Sequence, residues 1–384
     1  MAAADRRDRL GELARLFLWL GSVGFGGPAA HLALMEEQVV RRRGWLTPSE
    51  FVDLVGLTNL IPGPNSTEMA LAVGYRRAGL PGLLTSGVSF IVPAAAMTTA
   101  LAWAYMRYGA LPGVVTLLSG TGPAVIAVMA LGIVRLGRTA LARWQQLAIA
   151  ATVAALSLWG VNPVALLAAA AIVGLGLGPG GVAAATLVVT MGTQSVVRAL
   201  QSVSTSSTSA PDAHPSLAAL GGFFLEVGAV LYGSGYVLIA FLQRLVSPLS
   251  WLSARQLADA VAAGQITPGP VFTTATFIGY VIDGAGGALV ATVAIFLPAF
   301  VLVAVLEPVL AKRGISPRLR GFLDAVNAAS VGLLAAATIQ LAGQWLNRPS
   351  TFLAAAIAAV AGLAGFGAAW MILAGVCTAF LLGL

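Results

Sequence analysis

Leu60-Ile61-Pro62-Gly63-Pro64-Asn65-Ser66-Thr67-Glu68 sets two prolines around a glycine inside an apolar region. No α-helix runs through such a triplet. Pro64 lacks a backbone donor and crowds the preceding turn, and Gly63 permits dihedrals that other residues resist. Pro64 is nevertheless suited to open a new helix, with Asn65, Ser66 and Thr67 beside its freed donors. The stretch therefore predicts the tip of a broken helix. Ile266-Thr267-Pro268-Gly269-Pro270-Val271-Phe272-Thr273-Thr274 repeats the pattern in the second half, which points to a duplicated chain.

The surroundings of both tips are those of a membrane protein. Hydrophobic residues make up 58% of the 384 positions and charged residues 9%, with a mean hydropathy of +0.91. Apolar runs of this length and poverty of charge mean membrane spans. At ~20 residues per span the chain holds roughly ten to thirteen crossing or half-crossing segments. The net charge of +7 is no nucleic-acid signature, because the cations sit in short clusters between apolar runs, as in loops held on the cytoplasmic side. The single cysteine, Cys377, excludes an intrachain disulfide framework and a cysteine metal cluster; it is expected to be a small buried residue. Residues 1–15 are basic and precede an apolar run. That run is interrupted by Gly21, Gly24, Gly26, Gly27 and Pro28, so a cleaved signal peptide is not expected.

Arg6, Arg7 and Arg9 precede the apolar run 13–23, and Arg41, Arg42 and Arg43 follow the run ending at Val40. A simple crossing would put a basic cluster on each face. A re-entrant hairpin with its tip at Phe25-Gly26-Gly27-Pro28 keeps both inside, and irregular backbone at that depth is tolerated where protein or a watery cavity surrounds it. A second hairpin starts at 45–50, with Thr47 as a candidate N-cap, turns at Pro62-Gly63-Pro64, and returns to Arg76 and Arg77. Spans are expected at 81–106, 111–134, 144–160, 163–178 and 181–200. The Ser/Thr-rich stretch 201–216 reads as an exposed linker.

Five crossings start the second half from the opposite face. Its hairpins are expected at 219–246, tip Tyr232-Gly233-Ser234-Gly235, and at 254–281, tip Pro268-Gly269-Pro270, with spans at 285–311, 319–346, 350–365 and 367–384. Of the 21 Lys and Arg residues, this topology leaves only Arg107, Arg198, Arg244, Arg255 and Arg348 outside. The halves also match at Gly21 and Gly228, Trp45-Leu46-Thr47 and Trp251-Leu252-Ser253, Asp53 and Asp259, Gly74-Tyr75 and Gly279-Tyr280, and Pro93 and Pro298. The fold class is an all-α polytopic membrane protein. Inverted repeats occupy 10–200 and 217–384, each led by two helical hairpins, and such folds place substrate where discontinuous helices meet.

On Phe25-Gly26-Gly27-Pro28, Trp45-Leu46-Thr47, Pro62-Gly63-Pro64 and their second-half counterparts, the chain resembles the chromate ion transporter family in its long, two-domain form. The resemblance covers nearly the whole chain. It implies export of chromate across the bacterial inner membrane, driven by the proton motive force, with sulfate as a related anion. The implied partners are chromate, sulfate, protons, the lipid bilayer and a second copy of the chain, with no cofactor and no nucleic acid. A sulfate-type carrier, an oxyanion channel and, more remotely, a membrane enzyme are the alternatives. No phosphate loop, metal-ligating cluster or nucleophile–base set is present.

A dianion inside a bilayer needs donors, and helix N-termini supply them through free N–H groups and a partial positive charge. The candidate binding residues are therefore those of the four tips: Gly26, Gly27, Pro28 and His31; Gly63, Asn65, Ser66 and Thr67; Ser234, Gly235 and Tyr236; Gly269, Thr273 and Thr274. Simple capping by the hydroxyls, and turn-shaping by the glycines, are the competing readings. Glu68 heads the proton-coupling candidates, because a carboxylate within the membrane marks a proton or ion path. It would repel an anion unless protonated, and its second-half equivalent is Thr274. Glu226, Asp53 and Asp259 complete that set, with structural hydrogen bonds as the competing reading for the two aspartates.

Overall fold

A computed structural model describes residues 2–176, 215–232, 235–246, 249–313 and 317–382. The expected span at 181–200, the linker at 201–216 apart from its last two residues, and the tip residues Gly233 and Ser234 lie outside the described residues. Helices are the only regular structure among those described.

The first hairpin is α1 (Ala2–Val23) and α2 (Gly27–Glu36), the latter prolonged by a π-helical turn to Arg42. Gly26 and Gly27 carry positive φ at its tip. The second hairpin is α3 (Pro48–Thr58) and the opening of α4 (Ser66–Tyr108). Thr47 caps α3 in a reciprocal box with Glu50, the arrangement that satisfies two orphan donors at once. Ala78 and Gly79 break α4 into a half-helix and a full span. Next come α5 (Pro112–Leu118), α6 (Thr121–Ala140), α7 (Trp144–Leu158) and α8 (Pro163–Gly174). The single span expected at 111–134 is thus two helices, parted at Ser119-Gly120. Gly120 packs so closely on α15 (Ala368–Leu381) that a Cβ would lie 2.6 Å from the Gly375 carbonyl; this is a tertiary demand with no local signal.

The second half repeats the plan with α9 (Leu217–Val230), α10 (Leu238–Leu242), α11 (Ala254–Ile266), α12 (Thr274–Arg313), α13 (Pro317–Trp345), α14 (Pro349–Leu363) and α15. Ser253 and Gln256 form the capping box of α11, and α12 breaks at Asp283-Gly284 as α4 does at Ala78-Gly79. The match reaches single contacts. Gly21 lies against the Phe90 carbonyl and Gly228 against that of Ile295; Gly74 meets Gly82 and Gly279 meets Gly287. Thr47→Ala and Ser253→Ala are each expected to cost about 1 kcal/mol, read as similar drops in thermal midpoint.

The halves are interlocked. α4 packs on α12, α7 and α8 pack on α13, and α14 and α15 pack on α6. Each half's two short helices thus cover the long helix of the other. One apolar core accordingly draws on both halves, while a second joins the first-half hairpins to Ala299 and Val303 of α12. The outer faces are apolar: Leu289, Val293, Leu297, Val301, Val305 and Val309 stand exposed along α12 at four-residue spacing. At 1.5 Å per residue this stripe is ~30 Å long, the thickness of a bilayer's hydrocarbon layer. Cys377, expected to be buried, is exposed, on a helix whose Leu373 and Phe380 also face outward. The thiol there is surrounded by the apolar outer surface and not by the core.

Candidate transport site

Both Pro-Gly-Pro tips are buried in the protein interior. Each is held by the other half. The Gly63 amide donates to the Leu231 carbonyl at 2.8 Å, and the Gly269 amide donates to the Gly24 carbonyl at 2.9 Å. These bonds correspond under the duplication, so all four tips meet pairwise across the junction of the halves. Gly269 has φ +91°, and a Cβ there would come 2.7 Å from that of Ala94.

His31, a candidate ligand, joins this junction through one ring nitrogen and keeps its buried Nδ1 without a hydrogen-bond partner among the described residues. It is buried, its Nε2 lies 2.7 Å from the Gly24 carbonyl, and Phe90 meets its ring edge to face. Gly24 therefore anchors both His31 and Gly269. Gly26 is exposed at the outer rim of its tip, with Gly27 and Pro28 part-buried.

The hydroxyls mostly serve their own tips. Ser66 donates to the Pro64 carbonyl at 3.2 Å, Thr273 to Pro270 at 2.9 Å and Thr274 to Val271 at 2.8 Å. Asn65 makes no capping bond; its carboxamide accepts from Thr58 and donates to Asn59, lacing α4 to α3. Thr67 alone of these has a buried hydroxyl without a partner among the described residues. Gly235 and Tyr236, expected in the first turn of a half-helix, form the turn before α10 instead. Gly235 packs on the Val271 side chain, and Gly132 packs on the Tyr236 ring. That half-helix is five residues long and runs on as a 3-10 turn to Leu245.

Glu68 is fully buried in the first turn of α4. Its carboxylate lies directly against Gly63, where a Cβ would overlap Oε1. The amides of Asn65 and of Glu68 itself face it, yet neither oxygen makes a well-formed hydrogen bond among the described residues. A carboxylate thus occupies the electropositive helix start where an external anion would be held.

The other acidic candidates are elsewhere. Asp53 is exposed on α3. Asp259 is buried and accepts from Thr121 at 2.6 Å and Tyr105 at 3.0 Å, with Arg255 at 3.9 Å. Such a satisfied group ties α11 to α6 and α4. Asp259→Ala strands the Tyr105 hydroxyl, while Thr121 keeps the Leu118 carbonyl at 2.7 Å; it is expected to cost about 1–3 kcal/mol, seen as a lower thermal midpoint, with the pH profile of transport unchanged. Glu226 is half-exposed and paired with Arg244 at 2.8 Å. Sequence reasoning missed Glu307. It is buried on α12 and ion-paired with Arg76 of α4. A carboxylate inside the otherwise uncharged run 285–311 was the available signal.

A family model described as Chromate transporter matches residues 11–175 and again 218–381. The chromate transport protein of Cupriavidus metallidurans is 33% identical over 337 residues, covering 87% of this chain and 82% of that protein. The probable chromate transport protein of Synechococcus elongatus is 31% identical over 371 residues, 91% of this chain and 89% of its own. The chromate transport protein of Pseudomonas aeruginosa is 30% identical over 379 residues, covering 94% and 87%. No solved structure matches the chain.

Proposed function

The chain belongs to the chromate transporter family, and from that premise we propose that it exports chromate across the inner membrane by proton-coupled secondary transport. The two halves lie inverted in the bilayer, spanning 10–200 and 217–384, and the anion binds where the α4 tip meets its neighbours from the other half. Thr67 and the free amides of the first α4 turn are its donors.

One observation carries the reading: the buried Glu68 carboxylate at the start of α4, packed on Gly63. Ionised, it fills the electropositive helix start and repels a dianion. Protonated, it loses its charge and can leave those amides to the oxyanion. The proton that admits the anion enters from outside and is released inside, in exchange for the outgoing dianion, so each cycle moves three elementary charges in the direction a negative-inside potential favours. That potential supplies about 2.3 kcal/mol per 100 mV for each elementary charge.

Purified protein in liposomes is expected to move chromate saturably under an imposed pH gradient or an imposed potential, with sulfate competing and protons moving opposite to the anion. Flux that never saturates and shows no counterflow would mean a channel. Saturable flux of sulfate with none of chromate would reassign the substrate.

A further inference from the structure

The turn that prolongs α2 is π-helical over Glu37–Arg42. Hydrogen bonds in such a turn span five residues, so side chains five apart stand in one row. Arg41 reaches Glu36 at 3.4 Å, and Arg42 reaches Glu37 at 3.0 Å. Arg43 donates to Gln38, to both its backbone carbonyl and its carboxamide oxygen, and lies over the Trp45 ring at 5.6 Å from the centroid. The register thus gives the first two arginines a carboxylate each and the third a neutral amide. Arg15 of α1 is exposed and stands without a hydrogen bond or ion pair among the described residues. Glu12, the carboxylate one turn before it, is bonded to Arg77 at 2.9 Å. Among the described residues, then, no carboxylate pairs with Arg15 or Arg43.

These two arginines line one open groove of about 360 Å³, together with Leu16, Trp19, Gln38 and Arg42. Its α1 wall is apolar. Leu18 and Trp19 stand exposed one turn from Arg15, and Val23 continues the strip a turn further along the same helix. We propose that the groove binds an anionic phospholipid of the phosphatidylglycerol type, its phosphate between Arg15 and Arg43 and its acyl chains along Leu18, Trp19 and Val23. The inference goes beyond the transport reading and needs only that the chain sits in a bilayer. Guanidinium forks match phosphate oxygens and bind them in pairs of parallel hydrogen bonds. Exposed tryptophan beside a span belongs at the depth of the headgroups, and basic pockets between spans take the headgroups of anionic lipids. What favours a lipid over a free anion is the continuity of the two walls. The guanidiniums alone would serve a free phosphate, whereas the apolar strip that runs on from them has a use only for a ligand with chains. A lipid seated there ties α1 to the far end of α2, the two arms of the first hairpin.

The test titrates full-length protein in neutral detergent with phosphatidylglycerol, phosphatidylcholine or sodium sulfate. Thermal midpoint and lipid retained in native mass spectra are the readouts. Phosphatidylglycerol is expected to raise the midpoint and stay bound, and the other two are not. Each arginine contributes about fivefold to the affinity for an anionic lipid, so Arg15→Gln/Arg43→Gln is expected to weaken retention about twenty-five-fold. Gln38→Glu is the sharper variant. It removes no arginine and keeps the side chain's shape, but it sets a carboxylate in the row under Arg43; retention should weaken about fivefold. It also decides the matter if the double variant does not fold. Undiminished retention in either folded variant overturns the proposal. So does an equal shift with phosphatidylcholine, which would make the groove indifferent to charge, or with sulfate, which would make it a small-anion site. A lipid-free dimer that Trp19→Ala disrupts would make the groove a contact between copies of the chain, and overturns it as well.

Discussion

Glu68→Gln is expected to separate chromate movement from proton movement while leaving the fold intact. The neutral amide has nearly the carboxyl's shape and mimics its protonated form at every pH. Chromate should still cross, but the protons exchanged for it, about one per anion in the parent protein by the coupling argued for a buried carboxylate, should vanish. Stimulation by one unit of pH gradient, about tenfold in the parent since a unit of pH is a factor of ten in proton activity, should fall to none. Stability should hold or rise, because the parent buries a carboxyl group without well-formed partners. The readouts are chromate flux and lumenal pH in the same vesicles. If the glutamine protein acidifies or alkalises the lumen as the parent does, the coupling group is another residue.

Gly63→Ala is expected to be strongly destabilising. Gly63 has φ +142°, and the added Cβ would collide with the Glu68 carboxylate. Backbone strain of ~1–3 kcal/mol joins overpacking of similar size, about 3 kcal/mol or more in sum. The shift also breaks the amide bond to Leu231. Gly79→Ala is the control. It too has positive φ, +67° with ψ −152°, a region essentially reserved for glycine, but nothing stands within 4 Å of its Cβ, so the backbone strain of about 1–3 kcal/mol applies without the packing term. Equal thermal midpoints for the two variants would show that the close packing of Glu68 on Gly63 carries no weight.

What could be read from the sequence was what proline, glycine and caps decide locally. The tips at Pro62-Gly63-Pro64 and Pro268-Gly269-Pro270, the box at Thr47 and Glu50, and the duplication all depend on nearest neighbours along the chain. The direction of a hydroxyl does not. Ser66 and Thr273 could face an anion or their own carbonyls, and tertiary packing chooses the carbonyls. Asp53 and Asp259 match in sequence, yet one is exposed and the other buried, because only Asp259 meets Tyr105 and Thr121 from other helices.

The glycine contacts that follow each kink constrain how such a protein can work. Gly74 and Gly82, like Gly279 and Gly287, bring backbone onto backbone immediately beside the breaks at Ala78-Gly79 and Asp283-Gly284. The bends therefore cannot serve as pivots, since opening either one would tear apart a contact that only the smallest residue allows. A hairpin half-helix and the span behind it are therefore joined as one stiff unit, and the units of the two halves pack together where α4 meets α12.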